Sequence, residues 1–366
     1  MPLDSIYIHI PFCKKKCNYC DFNSISNLTL IDDFLNALAL ELKKNSAKIN
    51  KNHIRSLYIG GGTPSALDEK QLKTLFMKIE DNLGEINKIK ESVIEINPES
   101  LSEEKLKLIR DFGINRISLG LQSTSDRFLN YLGRLSNYDK FLKSYELIRK
   151  YNFKNVNLDL IFAVPSQKME DLEKDLLNIV RLRPEHISAY CLEIHENTYF
   201  GKNKIFIDED LSRDMYYHIV NFLTDNGYLH YEISNFSLNG FESIHNLNYW
   251  NCGQYLGFGP SACSHMDNCR WKNMDDVYGY IDNMNKGEDI ISFKERLTNR
   301  DILNERLILG LRQIKGIELD GELFIKFKYN IEKLFKSGYI DMEGRHIKIK
   351  KDFLFTSNFI LSEIML

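Results

Sequence analysis

Three cysteines in one short stretch, Cys13, Cys17 and Cys20, are the residues of this chain best equipped for chemistry. They follow the apolar run Tyr7-Ile8-His9-Ile10-Pro11-Phe12 and occupy a loop that also carries Lys14, Lys15 and Lys16. Thiolates at such spacing can reach neighbouring corners of one iron–sulfur cube, and soft sulfur donors favour iron–sulfur or zinc over oxygen-seeking metals. With three sulfurs a cube keeps one iron free for a substrate or cofactor to chelate, as catalytic zinc sites keep one position open. Two other readings stand beside this one. A zinc knuckle would have His9 as its local fourth ligand, and a disulfide pair would need an oxidising compartment that nothing else in the sequence supports.

The elements that must hold these thiols are legible as an alternation. Runs rich in β-branched and aromatic residues predict strands at Ser5–Ile10, Ser56–Ile59, Val93–Ile96, Arg116–Leu121, Val156–Phe162 and His186–Leu192. Between them the longer period of amphipathic helices runs through Ile31–Leu42, Glu69–Glu80, Glu103–Phe112, Tyr138–Tyr151 and Met169–Leu182. Strand then helix, repeated, implies an α/β fold with a parallel sheet and helices outside it. Six such strands suit an open or partial barrel, whose chemistry belongs at the carboxyl ends of the strands.

Those ends carry suitable residues. After the second strand, Gly60-Gly61-Gly62-Thr63-Pro64 lets the backbone come close to a ligand, and the missing Gly-Lys-Ser/Thr ending excludes a phosphate loop. In Ile94-Glu95-Ile96 the carboxylate lies on the opposite strand face from the isoleucines, which in a barrel can be the lumen. The fourth strand ends in Gln122 and the fifth carries Leu158-Asp159-Leu160, so Glu95, Gln122 and Asp159 approach one rim. A carboxylate buried there needs a partner, and Arg134 can fork two hydrogen bonds onto a carboxylate. Taken singly, each of these residues equally fits a structural ion pair or a plain strand-exit turn.

The cysteine spacing, with Tyr19 directly before the last thiol, resembles that of the radical S-adenosylmethionine (SAM) enzymes. The resemblance implies a [4Fe-4S] cluster on Cys13, Cys17 and Cys20, SAM chelated at the open iron, and a partial (βα)6 TIM-like barrel. Further blocks, Gly-Gly-Gly-Thr-Pro-Ser, Glu-Ile-Asn-Pro-Glu, Ser-Leu-Gly-Leu-Gln-Ser and Leu-Asp-Leu-Ile-Phe-Ala-Val-Pro, resemble a narrower family, oxygen-independent coproporphyrinogen III dehydrogenase and its relatives. Carried across residue by residue, the SAM site would be Tyr7, Gly61, Gly62, Thr63, Glu95, Gln122, Arg134 and Asp159, with Tyr19 beside the adenine. The tail resembles that family's smaller, mainly helical C-terminal domain. Helical periodicity at Ile302–Leu311 and Leu319–Phe335, then the apolar pair Tyr339–Met342 and His346–Ile349, would make helices and a two-stranded wing. The expected division is a barrel over 1–235, a connecting region over 236–294 and the C-terminal domain over 295–366.

Within that family the dehydrogenase has a further cysteine two residues after the cluster cysteines and an extended N-terminal arm. This chain has Asp21-Phe22 after Cys20 and reaches its first cluster cysteine at Cys13. Both departures resemble the HemW branch, regarded as heme chaperones, and His245-Asn246-Leu247-Asn248-Tyr249-Trp250 matches the His-Asn-x-x-Tyr-Trp signature of that branch. A neutral imidazole is a common heme ligand, and Tyr and Trp offer flat faces to a porphyrin. The alternative is that His245 bonds within the fold while Tyr249 and Trp250 fill core. His265 and Cys263 are secondary candidates, and Glu193-Ile194-His195-Glu196-Asn197 replaces the proline-glycine turn expected after the sixth strand. The resemblance thus implies a [4Fe-4S] cluster, SAM and heme, with heme-accepting apoproteins and an electron donor as partners. The other activity it implies is radical oxidative decarboxylation of coproporphyrinogen propionates to vinyls.

Composition sets the outer limits. A chain of 366 residues, 43% hydrophobic, supports one large domain and a smaller one. A net charge of −3, with lysines interspersed among acids, argues against a nucleic-acid partner. No long uncharged apolar run predicts a membrane span, which leaves peripheral association open, and Met-Pro-Leu-Asp-Ser leads straight into a strand, so a cytoplasmic location is expected. Cys191, Cys252, Cys263 and Cys269 read as reduced thiols, the last three close enough in sequence for a second metal site. The oligomeric state is not legible.

Overall fold

The computed structural model describes residues 3–365. The first half is six strands with helices between them: β1 (Leu3–Ile10), α1 (Ile31–Asn45), β2 (Ser56–Gly61), α2 (Glu69–Leu83), β3 (Glu91–Ile96), α3 (Glu103–Asp111), β4 (Arg116–Gln122), α4 (Asp126–Tyr131), α5 (Tyr138–Lys150), β5 (Val156–Phe162), α6 (Met169–Leu182) and β6 (His186–Cys191). All six predicted strands and the five predicted helices are present, with small shifts at their ends. Side chains of α2 and α3 cap their own first turns: Asp68 accepts from the Gln71 N–H, and Ser102 accepts from the Lys105 N–H.

Neighbouring strands β1 to β6 pair in parallel and in sequence order. Alternation sorts their side chains. Ile6, Ile8 and Ile10 are fully buried in one core with Phe34 and Leu38 of α1, each such side chain worth about 1.5–3 kcal/mol on leaving water. The intervening residues face the concave side, where the register sets Tyr7 beside Tyr58, Tyr58 beside Val93 and Glu95 beside Ser118.

After β6 come α7 (Tyr199–Lys202), α8 (Glu209–Asp225), β7 (Leu229–Glu232), β8 (Asn235–Ser237) and α9 (Ile244–Trp250). Strands β9 (Gln254–Phe258), β10 (Cys263–Met266) and β11 (Cys269–Asn273), then α10 (Val277–Lys286) and β12 (Ile291–Arg296), complete the middle of the chain. Within 236–294, alongside helices α9 and α10, β9 adds to β1 in parallel and β10 to β12 continue outward, giving the strand order 12-11-10-9-1-2-3-4-5-6-8-7. Strand β8 straddles the expected boundary at 235/236.

The chain ends in α11 (Asn299–Gly310), β13 (Ile317–Glu318), α12 (Gly321–Lys336), β14 (Ile340–Glu343), β15 (His346–Ile349) and α13 (Ser357–Ile364). The wing has three strands in the order 13-15-14 rather than two, because Ile317 and Glu318 add a short edge to β15. This part docks on the barrel by backbone bonds: the Ile233 N–H donates to the Arg312 carbonyl and the Ile314 N–H to the Tyr231 carbonyl. Among the described residues no helix is long and apolar enough to cross a membrane.

Candidate functional site

The loop after β1 brings Cys13, Cys17 and Cys20 to the rim, where all three thiols line one cavity of about 730 Å³. Backbone bonds from Cys13 to Ile25 and from Asn18 to Leu132 hold the loop down. The Gly60–Gly62 segment supports it from below: Gly62 N–H donates to the Ile10 carbonyl at 2.9 Å and Thr63 N–H to the Phe12 carbonyl at 2.8 Å. Glycine is required there. Gly61 has φ +107°, and a Cβ on it would stand 2.5 Å from the His9 ring, while one on Gly62 would stand 2.7 Å from the Phe12 carbonyl oxygen. Burial pushes the Cys13 thiol up and the Cys20 thiol up to about 11. A metal would reverse this, since a coordinating thiol is deprotonated outright.

Among the described residues no three His, Cys, Asp or Glu side chains converge closely enough to hold a single metal ion. Three soft sulfur donors on one loop at the cavity suit iron–sulfur or zinc, and as three they leave a position of either open. The thiols of Cys13, Cys17, Cys20 and the outlying Cys191, Cys252, Cys263 and Cys269 are all free. The last three gather no metal site.

Above the glycines, Glu95 and Asp159 face the cavity from β3 and β5. Glu95 accepts from the Tyr58 hydroxyl at 2.8 Å and from the Gly61 N–H at 3.1 Å, and burial pushes its carboxyl up to about 8, with a smaller push from Asp159. Asp159 accepts from Ser118 and Asn157, and burial raises it also. Neither carboxylate has a cation within ion-pair distance among the described residues. Arg134 is the complement: its Nη2 donates to Asn97 at 2.7 Å and to the Gly120 carbonyl at 3.1 Å, its Nη1 lies 3.9 Å from the Cys17 sulfur, and its buried Nε has no partner. Gln122 reaches the rim through a bulge in β4 and takes φ +69°, a left-handed conformation that a glutamine adopts only when its surroundings impose it. Unpaired carboxylates on one wall and an incompletely satisfied guanidinium on another suit a zwitterion, with an ammonium for the first and a carboxylate for the second.

The structure brings Cys13, Cys17, Tyr19, Cys20, Gly61, Gly62, Thr63, Glu95, Gln122, Arg134 and Asp159 to this one cavity. Tyr7 and His245 are not among its lining. Tyr7 pairs in register with Tyr58, its hydroxyl 2.9 Å from His9 Nδ1 and its ring packed against Tyr58 and His245. Sequence reading missed Tyr58 and Asn97, which hold Glu95 and Arg134, and missed Arg312, Phe355 and Asn358, which bring the C-terminal domain to the same cavity. The alternation that singled out Glu95 could have found Tyr58. Nothing local marks Arg312.

The signature stretch has another place in the fold. Helix α9 plugs the amino-terminal end of the barrel, where Glu91 of β3 accepts from the backbone N–H groups of Ile244 and His245 and pairs with Arg116 at 3.2 Å. His245 is 2% exposed, with Nδ1 3.0 Å from Ser56 and Nε2 3.0 Å from the Tyr249 hydroxyl. Both nitrogens are engaged, and burial holds the ring neutral by lowering it to about 3. His245, expected as a candidate iron ligand, thus sits within the plug, with both ring nitrogens hydrogen-bonded and off the cavity wall. His265 lies in β10 beside Tyr255, and Cys263 is exposed at the head of that strand, neither of them on the cavity.

A model of the radical SAM superfamily matches residues 7–179. The heme chaperone HemW of Lactococcus lactis is 36% identical over 338 residues, covering 91% of this chain and 87% of that protein. The heme chaperone HemW of Bacillus subtilis is 34% identical over 346 residues, covering 93% and 91%. Among solved structures, coproporphyrinogen III oxidase from Escherichia coli, a radical SAM enzyme, superposes with a TM-score of 0.87 over 100% of this chain and 90% of its own, at 22% identity. That likeness shows the fold over the whole chain, an α/β fold of mixed sheet and outer helices. Identity over nearly the whole length, with the cysteine loop and rim residues in place, makes the chain a member of the HemW heme chaperone family within the radical SAM superfamily.

Proposed function

We propose that this chain holds a [4Fe-4S] cluster on Cys13, Cys17 and Cys20, binds SAM across the rim, and carries heme to acceptor apoproteins in the cytoplasm. The observation behind this is the single cavity on which three free thiols, two carboxylates without cations and the open donor of Arg134 converge. A cluster, when bound, supplies an electron from an external donor and an open iron for SAM. The chain's own residues then do the selecting. Arg134 takes the carboxylate of SAM, Glu95 and Asp159 take its ammonium or ribose hydroxyls, Gly61, Gly62 and Thr63 offer backbone groups, and Tyr19 covers the adenine. Burial of these groups keeps water away from each contact and strengthens it.

Heme as cargo fits the outer part of the same cavity, where Tyr190, Leu192, Tyr216, Ile233 and Phe355 give apolar and aromatic walls. The test is an anaerobic hemin titration of the cluster-reconstituted chain followed in the Soret region. Saturable binding near one equivalent, with loss of iron–sulfur absorption but not of fold in Cys17→Ser, is the expected result. Absence of saturable binding, together with decarboxylation of coproporphyrinogen in the presence of SAM and a reductant, would transfer the chain to the enzymatic branch.

A further inference from the structure

The family signature ends in Trp250, and its ring carries the guanidinium of Arg312, whose central carbon stands 5.6 Å from the ring centroid. Arg312 belongs to the C-terminal domain, yet it lines the cavity beside Tyr216, Ile233 and Phe355. Its backbone is pinned from two sides, its carbonyl accepting from the Ile233 N–H and its own N–H donating to the Leu309 carbonyl, and the side-chain amide of the next residue, Gln313, donates to Asn251 Oδ1 at 3.0 Å. One side-chain nitrogen donates to Asn358 at 3.0 Å. Among the described residues no carboxylate lies within ion-pair distance of this guanidinium. The nearby acid, Glu232, spends its oxygens on Asn235 and the Ser234 N–H. The Trp250 indole Nε1 is likewise buried without an acceptor. A half-buried cation set over an indole, with no acid of its own, is suited to a carboxylate.

We propose that Arg312, carried on Trp250, is the clamp for a carboxylate of the porphyrin, so that the signature acts through its last residue rather than through iron ligation by His245. This rests on the heme reading given above. Beyond the N–H given to Asn358, the guanidinium has further N–H donors for which no partner is seen among the described residues, and these match a carboxylate. The rest of the motif supplies rigidity: Glu91 anchors the first turn of α9 and His245 bridges Ser56 and Tyr249, so Trp250 is presented from a fixed helix. A propionate-bearing macrocycle could then rest on the apolar wall with one acid group on Arg312.

The experiment compares protoporphyrin IX, its dimethyl ester and hemin on the full-length, cluster-reconstituted chain. Binding is read by quenching of intrinsic fluorescence for the free porphyrins and by the Soret band for hemin. In the unaltered chain the diacid should bind at least roughly tenfold more tightly than the ester, the scale of one charge-assisted hydrogen bond lost. Arg312→Gln should weaken diacid and hemin by a similar factor, leave the ester unaffected and leave the Soret maximum where it was. Arg312→Lys keeps the charge but not the fork or the stack, and should fall between the two. Retained cluster absorption shows that each variant is folded. Equal affinity for diacid and ester in the unaltered chain, or Arg312→Gln binding hemin within twofold of it, would overturn the clamp while the chaperone reading stands. No saturable hemin binding by the unaltered chain would overturn both.

Discussion

Strand β3 carries two glutamates on one face, Glu91 and Glu95, and the barrel treats them in opposite ways. Glu91, at the amino-terminal end, is paired with Arg116 and takes N–H groups from the first turn of α9 as well as the Ser243 hydroxyl. Glu95, one helical turn's worth of sequence later at the carboxyl end, has a tyrosine and one backbone donor and no cation. The first arrangement is finished and can only hold. The second is left incomplete in a place where completing it requires something from outside, and that difference separates a structural carboxylate from a binding one more reliably than residue type does. The largest expected effect is at the finished end. Arg116→Ala leaves Glu91 buried, 4% exposed, without its counter-charge, and should lower unfolding free energy by about 3–5 kcal/mol in a denaturant titration. A loss under 1 kcal/mol would mean that the plug is wet.

The plug gives a second, smaller break. His245→Ala removes two buried hydrogen bonds and most of a ring, and is expected to cost about 2–3 kcal/mol of stability while leaving the Soret maximum of bound hemin in place. A shifted Soret band with unchanged stability would restore His245 as an iron ligand.

The same contrast explains what could be read from the sequence. Alternation places a polar residue on a known strand face, so Glu95 and Asp159 were visible as rim residues, and strong periods gave six strands and five helices. Alternation does not say which residues reach the cavity. Tyr7 shares the lumen face and the level of Tyr58 yet is not on the cavity wall, and His245 is hydrogen-bonded through both ring nitrogens, to Ser56 and Tyr249. Strands β9 to β12 were missed because they are short and mixed in polarity, Cys263–Met266 being an example, and take their form from pairing to β1 and to one another. Arg312 is invisible because its role depends on contacts with Trp250 and Asn358, distant in sequence.

At the incomplete end, Glu95→Gln should act on binding rather than on folding. The amide still accepts from Tyr58 but offers no charge to an ammonium, so SAM affinity measured by anaerobic calorimetry should fall roughly tenfold to a hundredfold. The denaturation midpoint at pH 8 should be unchanged or higher, since a buried carboxylate with no cation has been removed. A drop in stability comparable to that of Arg116→Ala would put Glu95 in the same class as Glu91 and end the distinction between them.

The smallest effect follows from the direction of the Glu95 shift. Burial lifts its carboxyl from 4.5 to about 8, with Asp159 adding to the lift and the Tyr58 hydroxyl opposing it. The folded ligand-free chain therefore holds a proton that the unfolded chain has released between those values, so this contribution to stability is complete below about pH 4.5 and is lost as pH rises through about 8. SAM reverses the preference, because its ammonium pairs only with the ionised carboxylate. Over pH 6 to 8.5 the stability of the ligand-free chain should decline while SAM affinity climbs; Glu41 and Glu232, which burial also lifts to about 7, share the stability slope, so Glu95→Gln should reduce that slope in part and flatten the affinity slope. Arg134, charged throughout, contributes to affinity but not to its slope. A SAM affinity that stays level across this range in the unaltered chain would show that Glu95 is already ionised without ligand, and the incompleteness of the rim would then have to be located at Asp159 instead.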